Sequence, residues 1–140
     1  MACNTQPVAL FFVDLDGFKA LNDAQGHAAG DAMLVQLARA LQAAVRAEDA
    51  VGRFGGDEFL VLATVRDAAG AHALALHLLR AVQDCAAGCA STQQVSASIG
   101  YALAPYDASQ PLRLLQLADN AMYAAKRGGK NRVMHCAGLD

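Results

Sequence analysis

Apolar residues fall along this chain in two arrangements: short unbroken runs, and stripes spaced three and four apart. Residues 8–13 form a continuous run of strand length, which predicts a strand buried on both faces. Runs over 50–54 and 59–63 flank a glycine-containing connection and predict a hairpin. Residues 95–104 alternate at Val95, Ala97 and Ile99 up to Gly100 and predict another strand, and 133–136 a short last one. Three helical stripes lie between. The first helix is expected to open at Gly30-Asp31 and run from 32 to about 47, burying Leu34, Leu37, Ala38, Leu41 and Val45, with Asp31 capping free amides. The second covers 67 to about 84, with Ala71, Leu74, Ala75, Leu78, Leu79 and Val82 inward and His72, His77 and Arg80 at the surface. The third starts at Pro111, a residue suited to a first turn, and runs to about 126 on Leu114, Leu115, Ala118, Ala121, Met122 and Ala125. A short helix over 18–23, a loop at Gln25-Gly26-His27 and loops over 85–94 and 105–111 complete the chain, with His27 read as a loop or core histidine. The order β-α-α-β-β-α-β-α-β is an α+β layout with helices packed on a sheet.

Composition agrees. At 140 residues, 55% hydrophobic and 6% aromatic, residues 1–140 suit one domain with a real core. A net charge of −2 offers no broad basic surface for nucleic acid. No apolar run reaches the length of a membrane span, and the N-terminus lacks a charged region followed by a long apolar core. A cytoplasmic chain without membrane contact is therefore expected, with Cys3, Cys85, Cys89 and Cys136 reduced. Cys85 and Cys89 have helical i, i+4 spacing, but no histidine or second pair completes a zinc set. There are no internal repeats and no low-complexity segments.

The candidate chemistry sits at two acidic strand ends. The run 8–13 leads into Asp14-Leu15-Asp16-Gly17, and strand alternation points Asp14 and Asp16 the same way. Two acids at the mouth of a buried strand need solvent, a partner or a metal; alternatively they mark the strand's exit and cap the next helix. The hairpin turn Arg53-Phe54-Gly55-Gly56-Asp57-Glu58-Phe59 carries a second acidic pair beside glycines that let a ligand approach the main chain. That arrangement suits a divalent ion with a phosphate ligand, or a solvated turn. Lys19, Asn22 and Asp23 lie near the first strand mouth. The one basic cluster, Lys126-Arg127-Gly128-Gly129-Lys130-Asn131-Arg132, is either a solvated helix end or a phosphate clamp.

Together these motifs resemble the GGDEF, diguanylate cyclase, family over nearly the whole sequence. The resemblance rests on Phe12-Val13-Asp14-Leu15-Asp16-Gly17-Phe18-Lys19, Asn22-Asp23, Gly26-His27, Gly30-Asp31, the turn at 53–59, Ser98-Ile99-Gly100, Ala118-Asp119, Tyr123-Ala124-Ala125-Lys126 and Lys130-Asn131. It implies a central antiparallel-rich sheet of the adenylyl cyclase and polymerase-palm kind, and condensation of two GTP to cyclic di-GMP with release of pyrophosphate. It implies Mg²⁺ or Mn²⁺ held by Asp14, the Leu15 carbonyl and Asp57, with Asp57 also matching the family's proposed general base. A carboxylate already bound to metal is a poor base. Lys19 matches the residue that stabilises phosphoryl charge, and Glu58 completes the acidic pair. Gly55 and Gly56 let the backbone reach the nucleotide. Asn22 and Asp31 match the guanine readers, and a carboxylate suits the N–H groups of guanine's Watson–Crick edge. Lys126 and Lys130 match the phosphate clamp; the family often has Arg at the second position, so the bidentate fork is lost here.

Arg46-Ala47-Glu48-Asp49 matches the family's R-x-x-D product-inhibition site, with His77 and nearby Arg80 where a further Arg often helps. The family's usual Asp-x-Leu-Thr turn and helix before the first strand are not found in the seven residues preceding Val8. Catalysis in the family needs a homodimer, because one domain holds one GTP. A tethered sensor or phosphodiesterase domain is the usual context. The alternatives are a catalytically silent module that binds GTP or cyclic di-GMP, and a polymerase palm, which small size and near-neutral charge disfavour.

Overall fold

The structure, a computed structural model, describes residues 6–88 and 95–138. Its elements are β1 (Val8–Asp16), α1 (Phe18–Gln25), α2 (His27–Ala44), β2 (Ala50–Arg53), β3 (Glu58–Thr64), α3 (Ala68–Ala87), β4 (Ser96–Ala104), α4 (Pro111–Arg127), β5 (Arg132–His135) and a terminal 3-10 turn, Cys136–Gly138. The strands form one sheet in the order β2-β3-β1-β4-β5. All pairings are antiparallel except β4 with β5. The expected α+β, antiparallel-rich architecture is what the chain adopts.

The two faces of β1 take different partners. Its odd positions, Ala9, Phe11, Val13 and Leu15, join a core with Leu37 and Leu41 of α2 and Leu78 and Val82 of α3. Its even positions Leu10 and Phe12 pack under Leu114, Ala118 and Met122 of α4. With helices on both faces, the centre of the sheet has no solvent side, which is why 8–13 reads as an unbroken apolar run. The next even positions, Asp14 and Asp16, continue the α4 face past the end of that core. Gly100 of β4 lies under α4, where an added Cβ would stand 2.0 Å from Met122 N and 2.3 Å from the Ala118 carbonyl oxygen. The glycine in Ser98-Ile99-Gly100 thus lets a helix backbone rest directly on a strand.

Several boundaries differ from the sequence reading. α2 begins at His27, not after Asp31, with Gly26 at its N-cap. Asp31 is the fifth residue of the helix and caps nothing; Gly30, read as the helix opening, instead packs against α1, where an added Cβ would meet Asn22 Oδ1. The helix ends at Ala44, so Arg46 and Asp49 belong to the connection that follows. α1 extends to Gln25, and α3 to Ala87, which makes Cys85 helical rather than looped. Cys3 and Cys89 lie outside the described residues. Phe54 falls outside the hairpin strands, and Cys136 just beyond β5. Neither Asp14 nor Asp16 caps α1, whose N-cap is Gly17 in the left-handed region at φ 79°. Asp67 does cap α3, accepting from Gly70 N at 2.8 Å.

Candidate active site

β1 and β3 bring the two acidic strand ends together. Asp14 is the register partner of Glu58. One residue further, Leu15 N donates to the Asp57 carbonyl at 3.1 Å. The turn between β2 and β3 is closed by Phe54 N donating to the Glu58 carbonyl at 2.8 Å. Arg53 braces it, with Nε and Nη2 donating to the carbonyls of Gly55 and Gly56. A side chain at Gly55 would collide with Glu58 Oε1, whereas the space beside Gly56 is open. The turn therefore presents two carboxylates at the edge of the sheet beside uncovered backbone.

α4 supplies the counter-charge. Lys126 Nζ stands 3.0 Å from Asp16 Oδ1 and 3.6 Å from Asp14 Oδ2. The two aspartates nonetheless differ sharply. Asp16 is only 5% exposed and its carboxylate is saturated: it accepts from Ser96 Oγ, Ser98 Oγ, Lys126 Nζ and the Asn131 amide. Burial opposes its ionisation, but the bonds from Asn131, Lys126 and Ser98 outweigh burial and hold its pKa below the ordinary value. Asp14 has no such set. Burial pushes it up to about 6, helped by the charges of Asp57, Glu58 and Asp16 and opposed by Lys126. Glu58 is also raised, by burial first and then by Asp57 and Asp119. Burial works against the Lys126 charge, but the Asp16 bond and the charges of Asp14, Asp16 and Asp57 raise its pKa. One aspartate is a structural anchor, and the other faces a surplus of negative charge.

The remaining candidates surround this end of the sheet. Lys19 is exposed on the first turn of α1; among the described residues it is Lys126, not Lys19, that pairs with the acids. Asn22 lies over Gly30, and its Nδ2 donates to His27 Nδ1 at 3.0 Å. His27 thus opens α2 and orients Asn22, a role its loop-like sequence setting concealed. Asp31 lines a cleft with Leu34, Gln42, Gly52, Arg53 and Phe59, between α2 and the hairpin. Lys130 is exposed, in a left-handed conformation at φ 65°, and Asn131 follows at φ 51°. Such angles are uncommon without glycine; Asp16 holds the segment by accepting from Asn131 N.

The R-x-x-D residues form a compact unit away from the acids. Asp49 accepts from the Arg46 amide at 3.0 Å and from Thr64 N at 3.3 Å. The Arg46 guanidinium reaches Asp49, Glu48 and the Thr64 carbonyl. His77 and Arg80 are exposed one turn apart on α3. His72 is exposed too, but its Nδ1 lies 2.8 Å from the hydroxyl of buried Tyr101, a contact invisible in the helical pattern.

Residues 1–132 match the family described as diguanylate cyclase, GGDEF domain. The chain is 45% identical over 123 residues to MucR of Pseudomonas aeruginosa, a bifunctional diguanylate cyclase/cyclic di-GMP phosphodiesterase, covering 88% of this chain and 18% of MucR. The crystal structure of the GGDEF domain of YfiN (TpbB) from Pseudomonas aeruginosa superimposes with a TM-score of 0.84 at 39% identity, over 94% of this chain and 83% of that one. The GGDEF domain of DgcB from Caulobacter crescentus, solved in complex with c-di-GMP, gives a TM-score of 0.83 at 26% identity, over 95% of this chain and 80% of that one. Among the described residues no helix is long and apolar enough to cross a membrane.

Proposed function

This chain belongs to the diguanylate cyclase GGDEF-domain family, with the cyclase palm-like fold of its structural neighbours, and from that premise we propose that it condenses two GTP into cyclic di-GMP and pyrophosphate. The observation that carries the reading is the meeting of Asp14 with Asp57-Glu58 across the β1–β3 pair, beside Lys126.

A divalent cation suits this donor set. Its oxygens are hard donors, as Mg²⁺ and Mn²⁺ require. Asp14 is the carboxylate whose charge is opposed by burial and by the neighbouring acids, while Asp16 is already saturated. Asp14, Asp57 and the Leu15 carbonyl would hold the ion. When bound, it supplies a lowered pKa for the attacking ribose 3′-hydroxyl and charge neutralisation at the phosphates. Lys126, positioned by Asp16, presents its ammonium where triphosphate oxygens would lie. Lys130 and Lys19 extend that positive rim, and Lys19 is free to follow charge developing on the reacting phosphate. Gly56 leaves room for the nucleotide to approach the main chain. Asn22, oriented by His27, and Asp31 at the cleft mouth provide an acceptor and donor set for guanine. Glu58 completes the acidic pair beside Asp57.

A single domain of this kind holds one GTP, so two copies must face each other and the active form is a homodimer. The described residues make one sheet with its helices, which supports treating residues 1–140 as one catalytic domain. The chain spans about a fifth of MucR's length (18%); a tethered sensor or phosphodiesterase domain, and feedback by product at Arg46 and Asp49, complete the proposal. Incubation with GTP and Mg²⁺ or Mn²⁺, with and without forced dimerisation, tests it. Cyclic di-GMP from the forced dimer is expected. GTP binding without turnover would identify a silent nucleotide-binding module instead.

A further inference from the structure

A second group of metal-ligating side chains lies at the other end of β4. Asp107 comes from the β4–α4 connection, His135 ends β5, and Cys136 opens the 3-10 turn. One potential ligand atom from each lies within 4.8 Å of the other two. The acidic site is at the Ser98 end of β4, whereas His135 is the register partner of Tyr101 and Asp107 accepts from Leu103 N, about 10–16 Å along the strand at roughly 3.3 Å per residue. The two share no residue.

We propose that Asp107, His135 and Cys136 bind a thiophilic divalent transition-metal ion of the zinc class.

The donor set is one carboxylate oxygen, one imidazole nitrogen and one sulfur. That mixture suits Zn²⁺ or Co²⁺ and is wrong for Mg²⁺, which selects oxygen. Three protein ligands leave a fourth position for water. The set is already ordered. Asp107 Oδ2 accepts from Leu103 N at 2.7 Å and meets His135 Nε2 at 2.7 Å. The His135 ring stacks flat on Tyr101, with centroids 4.8 Å apart and planes 3° from parallel. Tyr101 is itself held by His72 of α3. The Leu103 amide and the Tyr101 ring lie outside the ligand set and fix carboxylate and ring orientation, as supported metal sites need; the Asp107–His135 hydrogen bond joins the ligands themselves and would be replaced by the ion. All three ligands are half-buried, so an ion can enter from solvent while being partly shielded.

A nucleophilic role for the cysteine is disfavoured. Burial and the adjacent Asp107 carboxylate push the thiol up to about 12, so it carries its proton at neutral pH. On metal binding the thiol proton would leave to solvent as the sulfur–metal bond forms. The bound ion would tie β5 and the final turn to the β4–α4 connection.

The test is Co²⁺ titration of the reduced protein with excess Mg²⁺ present to occupy the acidic site. Saturation near one equivalent is expected, with a near-ultraviolet thiolate-to-cobalt absorption band that Zn²⁺ abolishes on displacing the cobalt. Cys136→Ser should lose the band, and His135→Gln should weaken binding by about tenfold or more. Combined Cys3→Ser, Cys85→Ser and Cys89→Ser should leave it intact. Zn²⁺ should also protect Cys136 of the unmodified chain from alkylation, mapped by mass spectrometry, which does not depend on any variant folding. No band in the unmodified protein, a band that survives Cys136→Ser, or alkylation of Cys136 unaffected by Zn²⁺ would overturn the site.

Discussion

Asp16 Oδ1 accepts from Lys126 Nζ at 3.0 Å across 110 positions of chain, and with the longer Lys126–Asp14 pair it couples the end of β1 to the end of α4. The same carboxylate gathers Ser96, Ser98 and Asn131. It therefore sets both the charge balance beside Asp14 and the course of the basic segment after α4.

Asp16→Ala should be the most disruptive of the acidic-to-alanine changes for stability. It leaves the buried Ser98 hydroxyl and the Lys126 ammonium short of an acceptor, at roughly 1–3 kcal/mol, measurable by urea unfolding. Because the folded pKa of Asp16 lies below its ordinary value of 3.8, its contribution is present above that value and is lost as pH falls through the folded pKa. Unfolding curves at descending pH should show this loss in the parent and not in Asp16→Ala.

Asp14 has the opposite sign. With its folded pKa raised from 3.8 to about 6, the folded state favours the protonated form, and that stabilisation is lost as pH rises through 3.8 to about 6. At neutral pH and without metal, Asp14→Asn should raise the melting temperature by several degrees while abolishing cyclic di-GMP formation. On the proposed metal site, a bound Mg²⁺ would have to displace the Asp14 proton, so calorimetric Mg²⁺ affinity should weaken below pH about 6. An unchanged affinity between pH 5 and 7, on the order of one unit either side of that value, would remove Asp14 from the ion.

Gly100→Ala should push α4 off β4. The added methyl would meet helix backbone, which cannot swing aside as a side chain can. Overpacking of this type costs about 1–3 kcal/mol and occasionally more. Thermal unfolding measures the loss, and because Lys126 rides on α4, turnover should fall with it.

Arg46→Ala should abolish cyclic di-GMP binding at the R-x-x-D unit by calorimetry; equal binding by both proteins would remove that site. Arg46 also holds Asp49 and the Thr64 carbonyl, so a stability loss of about 0.5–1.5 kcal/mol is expected in parallel. Product already bound to the parent should raise its melting temperature and leave the variant's unchanged.

Most of the architecture was legible in one dimension, because periodicity is local. An unbroken apolar run such as 8–13 can only be a strand covered on both faces or a buried helix, and its length decides between them. The same alternation put Asp14 and Asp16 on one side, and glycines beside acids at 55–58 marked the turn. What the chain order could not express was how charge is shared among groups that meet only after folding. Asp14 and Asp16 look equivalent in sequence, but the partners that saturate one and leave the other in excess charge come from positions 96, 98, 126 and 131. The start of α2 escaped for a related reason: Gly30-Asp31 resembles a helix opening, yet Gly30 lies inside the helix where it packs closely against the Asn22 side chain of α1. Asp107 and His135, 28 positions apart, meet because β5 lies parallel to β4. Hydrogen bonding and desolvation act through space, so the fate of each carboxylate was decided by the tertiary structure alone.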